Sequence, residues 1–170
     1  VANPAHNIAT KVERSSNGEY KKQVYRYYGA VTNLEGLGFL GFKSTTKTNW
    51  FTDNNQVLTS VTKFDINKRG TIIAEYIVEG LVGPAIESFP LYVSKVVNIV
   101  TAEILSNKVF KVKNTKSTTY NGIEGTFNMI SNTFDEYNNI TGITTTSGRG
   151  LQFLLKDKES ITTFEYDNST

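Results

Sequence analysis

The sequence predicts an all-β fold, a mostly antiparallel multi-stranded sheet, open or sandwiched, with little or no helix. Three observations carry this expectation. Thr and aromatics are abundant, with nine Tyr and ten Phe, and these types fit a half-buried pleated surface. Clusters of Asn and Gly cut the chain at short intervals and supply turns. Between the turns, apolar and polar residues alternate with a period of two, and no stretch holds a convincing helical repeat. Short strands joined by turns pair antiparallel, because parallel pairing needs long crossovers. Less than about a tenth of the residues is expected in α-helix, against the usual third. The 170 residues show no shift in composition, so they read as a single β domain over 1–170.

The elements follow in order. Residues 1–18 read as an irregular N-terminal segment closing on the turn signal Ser15-Ser16-Asn17-Gly18. Residues 19–32 then form a long strand or a strand broken at Gly29. From Phe39 to Phe51 aromatic and Thr residues alternate with polar ones, and Thr52-Asp53-Asn54-Asn55 makes a turn. The next run sets Val57, Thr59, Val61 and Lys63 on one face and Leu58, Ser60, Thr62 and Phe64 on the other. After the turn Asn67-Lys68-Arg69-Gly70, residues 71–79 place Ile72, Ala74, Tyr76 and Val78 opposite Ile73, Glu75, Ile77 and Glu79. Residues 91–105 carry two signals. Val93, Val96, Val97, Val100 and Ile104 match helical spacing, but the stretch is rich in β-branched residues and is assigned as strand. Further strands are expected at 108–119, 125–134, 140–147, 151–156 and 160–166.

The charge balance and the missing residue types exclude several function classes. A net charge of +2 provides no footprint for neutralising many phosphates, so no nucleic-acid partner is expected. There is no cysteine, and the single histidine, His6, stands near one end. Zinc sites and Ser/His/Asp triads need a histidine fixed in a packed site, so no catalytic residue, metal ligand or cofactor site is assigned. No apolar run reaches the roughly 18 residues of a membrane-spanning helix, and no membrane insertion is expected. The first residue is Val1 rather than Met, which leads to the expectation of a processed product or a piece of something longer.

Three places carry an aromatic residue, an acid and then a turn: Phe64-Asp65 before Asn67-Lys68-Arg69-Gly70, Phe134-Asp135 before Asn138-Asn139, and Phe164-Glu165 before Asp167-Asn168. The aromatic packs on the sheet where a strand ends, the carboxylate bonds turn amides, and Asn or Gly takes the positive-φ position. Phe164-Glu165-Tyr166-Asp167-Asn168 resembles the opening of a Tyr-Asp (YD) repeat of Rhs-type proteins. The stretch from Tyr28 to Lys43, with Gly36-Leu37-Gly38-Phe39-Leu40-Gly41-Phe42, is similar to the Gly-Arg-Gly-Phe-Leu-Gly-Phe stretch of Rhs-like proteins and of the shell-forming subunits of Tc-type insecticidal toxins. Leu37 stands where that family commonly has Arg, and two of the three units have Phe for Tyr. The Thr-rich stretch 44–48, Lys63 to Asp65 and Phe89-Pro90 follow in the family's order. The resemblance covers residues 20–110, with degenerate repeats beyond. It implies a segment of a large secreted or surface-displayed bacterial β-sheet shell, whose partner is the remainder of its parent chain, and it implies no catalytic residue. The chain stops within a repeat unit, which adds to the expectation of a fragment.

Other motifs have plainer readings. Gly36-Leu37-Gly38-Phe39-Leu40-Gly41 matches the dinucleotide fingerprint, whose mechanism requires the last glycine to open a helix. The residues that follow are strand formers, so Gly36, Gly38 and Gly41 are expected to permit a bend or bulge, with Phe39 and Phe42 as buried anchors. Lys108, Lys111, Lys113 and Lys116 form no single stripe and read as a solvated edge strand. The acids of Glu75, Glu79 and Glu103 are scattered, and Asp53-Asn54-Asn55 and Asp135-Glu136-Tyr137-Asn138 fit turn chemistry better than calcium loops.

Two functions follow from these readings. The first is a non-enzymatic structural module of a β-sheet shell. The alternative is a free-standing sandwich or barrel that binds carbohydrate or another small ligand on a platform of Tyr25, Tyr27 and Trp50. A concave aromatic-lined pocket favours the alternative, whereas burial of Tyr25, Tyr27 and Trp50 favours the first.

Overall fold

The computed structural model describes residues 8–33, 38–53, 56–86, 89, 91–104, 110–150 and 155–165. Ten strands are formed: β1 (Lys11–Ser16), β2 (Glu19–Asn33), β3 (Gly38–Thr48), β4 (Leu58–Asp65), β5 (Thr71–Glu79), β6 (Ser94–Ile104), β7 (Phe110–Asn121), β8 (Thr126–Phe134), β9 (Ile140–Arg149) and β10 (Leu155–Thr163). They make one open sheet in which spatial order equals chain order, β1 to β10. Each strand is antiparallel to its neighbour. Among the described residues there is no α-helix, and the turn after β4 holds a short 3-10 segment, Ile66–Lys68. The all-β antiparallel expectation holds, and of the two forms the sheet is the open one.

The alternation seen in the sequence is what sorts side chains across β4 and β5. Thr59 and Val61 are buried, as are Ala74, Tyr76 and Val78 on the adjoining strand. Val61 opposes Tyr76, and Thr59 opposes Val78, so the two apolar sets share a face. The register extends this face into a transverse row, Thr46, Val61, Tyr76, Lys95, Tyr120 and Phe127, one residue per strand from β3 to β8. The connection between β5 and β6, described at residues 80–86, 89 and 91–93, covers part of this face. Phe89 from this strap joins Val61, Ala74, Tyr76 and Val78 in a buried cluster, with Val82 and Tyr92 packed against it. Hydrogen bonds pin the strap's two ends, from Gly80 N to the Val57 carbonyl at 2.7 Å and from Val93 N to the Ile77 carbonyl at 2.8 Å.

Threonine is abundant because a one-layer sheet asks for residues that are β-branched yet can bond backbone. The Thr48 hydroxyl accepts from Val24 N at 2.9 Å, and Thr59 donates to the Gly80 carbonyl at 2.5 Å. Both side chains are buried and satisfied. The turn between β4 and β5 bonds its carboxylate to a turn amide as expected, but a positive φ is taken by Arg69 as well as by Gly70. Asp65 accepts from Asn67 N at 3.0 Å, Arg69 takes φ 55°, and Gly70 N returns to the Asp65 carbonyl at 3.0 Å.

Several boundaries differ from expectation. The N-terminal segment is not irregular throughout, because Lys11–Ser16 forms β1 on the outer edge of Glu19–Val24. One apolar residue, Val12, gives it almost no amphipathic signal, and pairing supplies the order. Gly29 takes φ 65° but β2 runs through it unbroken. Residues 91–105 are strand as expected, over Ser94–Ile104. The two strands expected at 151–156 and 160–166 are one, β10, with a register shift between Lys156 and Lys158; residues 151–154 and 166 lie outside the described set. The lysine-rich segment is not an edge strand, since β7 lies between β6 and β8. There Lys113 pairs with Glu103 at 3.4 Å across the β6–β7 ladder.

Candidate functional site

The residues singled out by sequence fall into two neighbouring groups. Tyr25 and Tyr27 lie two apart on β2 and are half-buried. The Tyr25 hydroxyl donates to Gln23 Oε1 at 2.5 Å, and the Lys47 ammonium stands 6.0 Å from its ring centre. Tyr27 donates to the Ala9 carbonyl at 2.9 Å. Trp50, beyond the end of β3, has the Arg14 guanidinium 4.4 Å from its ring centre. The three rings are thus engaged by groups of the chain itself. Tyr27 also packs on Phe42, at 4.8 Å between ring centres, and Phe42 on Phe39 at 5.2 Å.

That aromatic run depends on the glycine-broken segment. Val31 opposes Gly41, but the next residue, Thr32, opposes Phe39, so Leu40 is the extra residue of a bulge. In a regular strand Phe39 and Phe42 would point to opposite faces. The bulge, with Gly41 at φ 121° and Gly38 at φ 70°, brings their rings together. The chain then continues as β3, so the helix N-terminus that a dinucleotide fingerprint requires is not formed after Gly41. Gly36 lies outside the described residues. The expectation of two buried anchors is corrected for Phe39, which is 39% exposed, while Phe42 is half-buried.

One side-chain cluster was not marked by the sequence. The Lys95 ammonium lies 5.6, 5.8 and 5.4 Å from the ring centres of Tyr76, Tyr92 and Tyr120. Tyr92 and Tyr120 meet edge to face at 6.4 Å, and Tyr76 stacks obliquely on Phe89 at 5.1 Å. Burial, and next the neighbouring Tyr92, push the Tyr76 and Tyr120 hydroxyls above the usual tyrosine value. The cluster joins β5, β6, β7 and the strap, and only the strand register reveals it. The signal available in sequence was a lysine midway along a β-branched strand, which by itself points nowhere.

The acids stay dispersed. Glu75 and Glu79 are exposed on β5, and Glu103 is taken by Lys113. In the turn after β8, Asn139 N and Nδ2 donate to the two oxygens of Asp135 at 2.8 and 2.9 Å. Desolvation pushes the Asp135 carboxyl up, but these bonds and those from the Tyr137 and Asn138 amides hold it below the usual value. Both its oxygens face N–H donors, which is turn chemistry. Asn54 and Asn55 lie outside the described residues. Among the described residues no three His, Cys, Asp or Glu side chains converge as a metal site.

No family model matches the chain, and no curated protein matches it. Solved structures do match in fold. The chain resembles "Crystal Structure of TcdB2-TccC3-Cdc42" with a TM-score of 0.57 at 11% identity, over 85% of this chain and 10% of that one. It resembles "Crystal Structure of TcdB2-TccC3 without hypervariable C-terminal region" at 0.56 and 10% identity, over 81% and 10%. A third, "Crystal Structure of TcdB2-TccC3", gives 0.54 at 9% identity, over 80% and 10%. The chain thus spans about a tenth of the length of the structures it matches, and what it shares with them is the fold of that part, an antiparallel β-sheet.

Proposed function

We propose that this chain is a non-enzymatic structural module, a stretch of wall in a larger β-sheet shell of a secreted or surface-displayed YD-repeat protein of the Rhs and Tc type. The observation that carries the reading is the topology. Ten strands follow one another in chain order and leave the sheet open at β1 and β10. Such a meander extends by adding hairpins without rearranging those already made. The fold likeness to a tenth of each TcdB2-TccC3 chain supports the same reading. So does the exposure of Leu58, Ile77 and Ile130, which the register places on one face of the sheet, since exposed apolar residues on a shared face suit an interaction surface. The module's partner is the remainder of its parent chain, and it takes no cofactor.

The test is electron microscopy of the product of the complete reading frame that encodes this chain. A hollow shell with these ten strands running in its wall supports the reading. A separate closed sandwich or barrel on a flexible linker overturns it.

A further inference from the structure

The sequence holds two Asn-Gly pairs, Asn17-Gly18 and Asn121-Gly122. In such a pair the glycine nitrogen can attack the side-chain amide carbon of the asparagine, because glycine has no Cβ to hinder the approach. The attack needs a glycine N–H open to solvent base and a side-chain amide free to turn toward it. The fold treats the two pairs in opposite ways.

Asn121-Gly122 is locked. Gly122 N donates to the Val93 carbonyl at 2.9 Å, and a Cβ on Gly122 would stand 1.8 Å from the Tyr92 carbonyl oxygen, so this glycine is packed against the strap. Asn121 Oδ1 accepts from Ile123 N at 3.0 Å and from Glu124 N at 3.1 Å, which fixes the side chain over its own turn. Asn17-Gly18 is the two-residue loop between β1 and β2, with both residues exposed and at φ 51° and 78°. Neither the Asn17 side chain nor the Gly18 amide has a hydrogen-bond partner among the described residues, and the space where a Gly18 Cβ would stand is open. All six residues of β1 are exposed and it pairs with β2, so opening this hairpin disturbs no buried cluster.

We propose that Asn17 is a site of self-modification to isoaspartate, and that the change unpins β1. Gly18 N bonds to Asn17 Cγ, the Cγ–Nδ2 bond breaks, and ammonia leaves with the Gly18 amide proton. Water then opens the cyclic imide. Where water cleaves the original peptide bond between residues 17 and 18, the main chain runs on through Cγ, one methylene longer, and the old carbonyl carbon becomes a free carboxylate. Cleavage of the new bond gives aspartate instead. A two-residue hairpin loop with positive φ at both positions has no place for that methylene, so the pairing of Ser16 with Glu19 is lost. The proposal does not rest on the shell reading, since a further strand on the outer edge of β1 would leave Asn17 in its open loop.

The test incubates the chain at mildly alkaline pH and follows both asparagines by peptide mass spectrometry, with fragmentation that separates isoaspartate from aspartate. In the native chain Asn17 is expected to react at least about tenfold faster than Asn121, the factor for about 1.4 kcal/mol of protection. In urea, with the fold lost, the two rates are expected to agree. Hydrogen exchange of the aged chain is expected to show Lys11–Ser16 losing the protection they have when fresh. Asn17→Asp, which carries the charge on a backbone of ordinary length, is expected to keep that protection. A native ratio below about tenfold overturns the proposal, as does a ratio in urea as large as the native one, which traces the difference to local sequence. So does an isoaspartate chain whose β1 amides exchange as in the fresh chain, or an Asn17→Asp variant that loses as much protection.

Discussion

A Cβ built on Gly122 would stand 1.8 Å from the carbonyl oxygen of Tyr92. The β7–β8 turn and the strap therefore meet backbone to backbone, and Tyr92 is carried from that contact onto the face of the sheet. Gly122→Ala cannot be absorbed by a rotamer change, because the obstructing atom is main chain. It is expected to cost about 1 to 3 kcal/mol in urea unfolding, the range for forced overpacking. Gly83→Ala, with open space around it and no positive φ, is the matched control and should change little. A Gly122→Ala loss under about 0.5 kcal/mol, the ordinary surface value, contradicts the contact.

Lys95 ties the strap to three strands through tyrosine rings alone. Replacing it by Met keeps the apolar stem and removes the charge. Lys95→Met is expected to lose about 1 kcal/mol, the scale of a partly exposed cation–π contact, and Lys95→Arg to keep most of it. Equal stability of the Met variant and the parent in denaturant melts contradicts the role assigned to the ammonium.

Alkaline pH tests the same cluster from the other side. The hydroxyls of Tyr76 and Tyr120 are raised above their ordinary 10.0, first by burial and then by Tyr92. Their contribution to stability is present in full below pH 10.0, the unfolded value, and is lost as pH rises through the higher folded values. Unfolding above that pH should coincide with the rise in phenolate absorbance. Tyr76→Phe should flatten the alkaline fall in stability. A parent whose stability is level through this range contradicts the burial of these hydroxyls.

Phe42 packs on both Tyr27 and Phe39, and Phe39 is 39% exposed whereas Phe42 is half-buried. Phe42→Ala is expected to cost about 2 kcal/mol and Phe39→Ala about 1 kcal/mol, both below the 3 to 5 kcal/mol typical of a fully buried Phe. Equilibrium melts decide the order. A Phe39→Ala loss at or above about 3 kcal/mol points to cover over this segment that the single layer does not provide.

How much of this was legible in the sequence depends on whether a feature is local. The alternation through Val57 to Phe64 and Ile72 to Glu79 carries its own face assignment, and the Asp65 and Asp135 turns carry their own hydrogen bonds. The choice of strand over helix for Ser94–Ile104 was also readable, because β-branched residues stiffen an extended chain. The Lys95 cluster was not. It exists only because Tyr76 opposes Lys95 and Lys95 opposes Tyr120, and register is a relation among strands. The strand status of Lys11–Ser16 was hidden for the same reason. The exposure of Phe39 was missed because a large aromatic suggests a core, whereas Phe39 stands beside the extra residue of a bulge and is 39% exposed.

The central claim is that these strands are part of a continuous sheet rather than a domain with two free edges. Hydrogen exchange of the complete parent protein, read by mass spectrometry, tests it most directly at β1 and β10. On a free edge, alternate amides point to water and exchange quickly. The account predicts that amides of Lys11–Ser16 and Leu155–Thr163 are protected as strongly as those of β5 to β7. Fast exchange at alternate residues of both outer strands, beside slow exchange in β5 to β7, would contradict it.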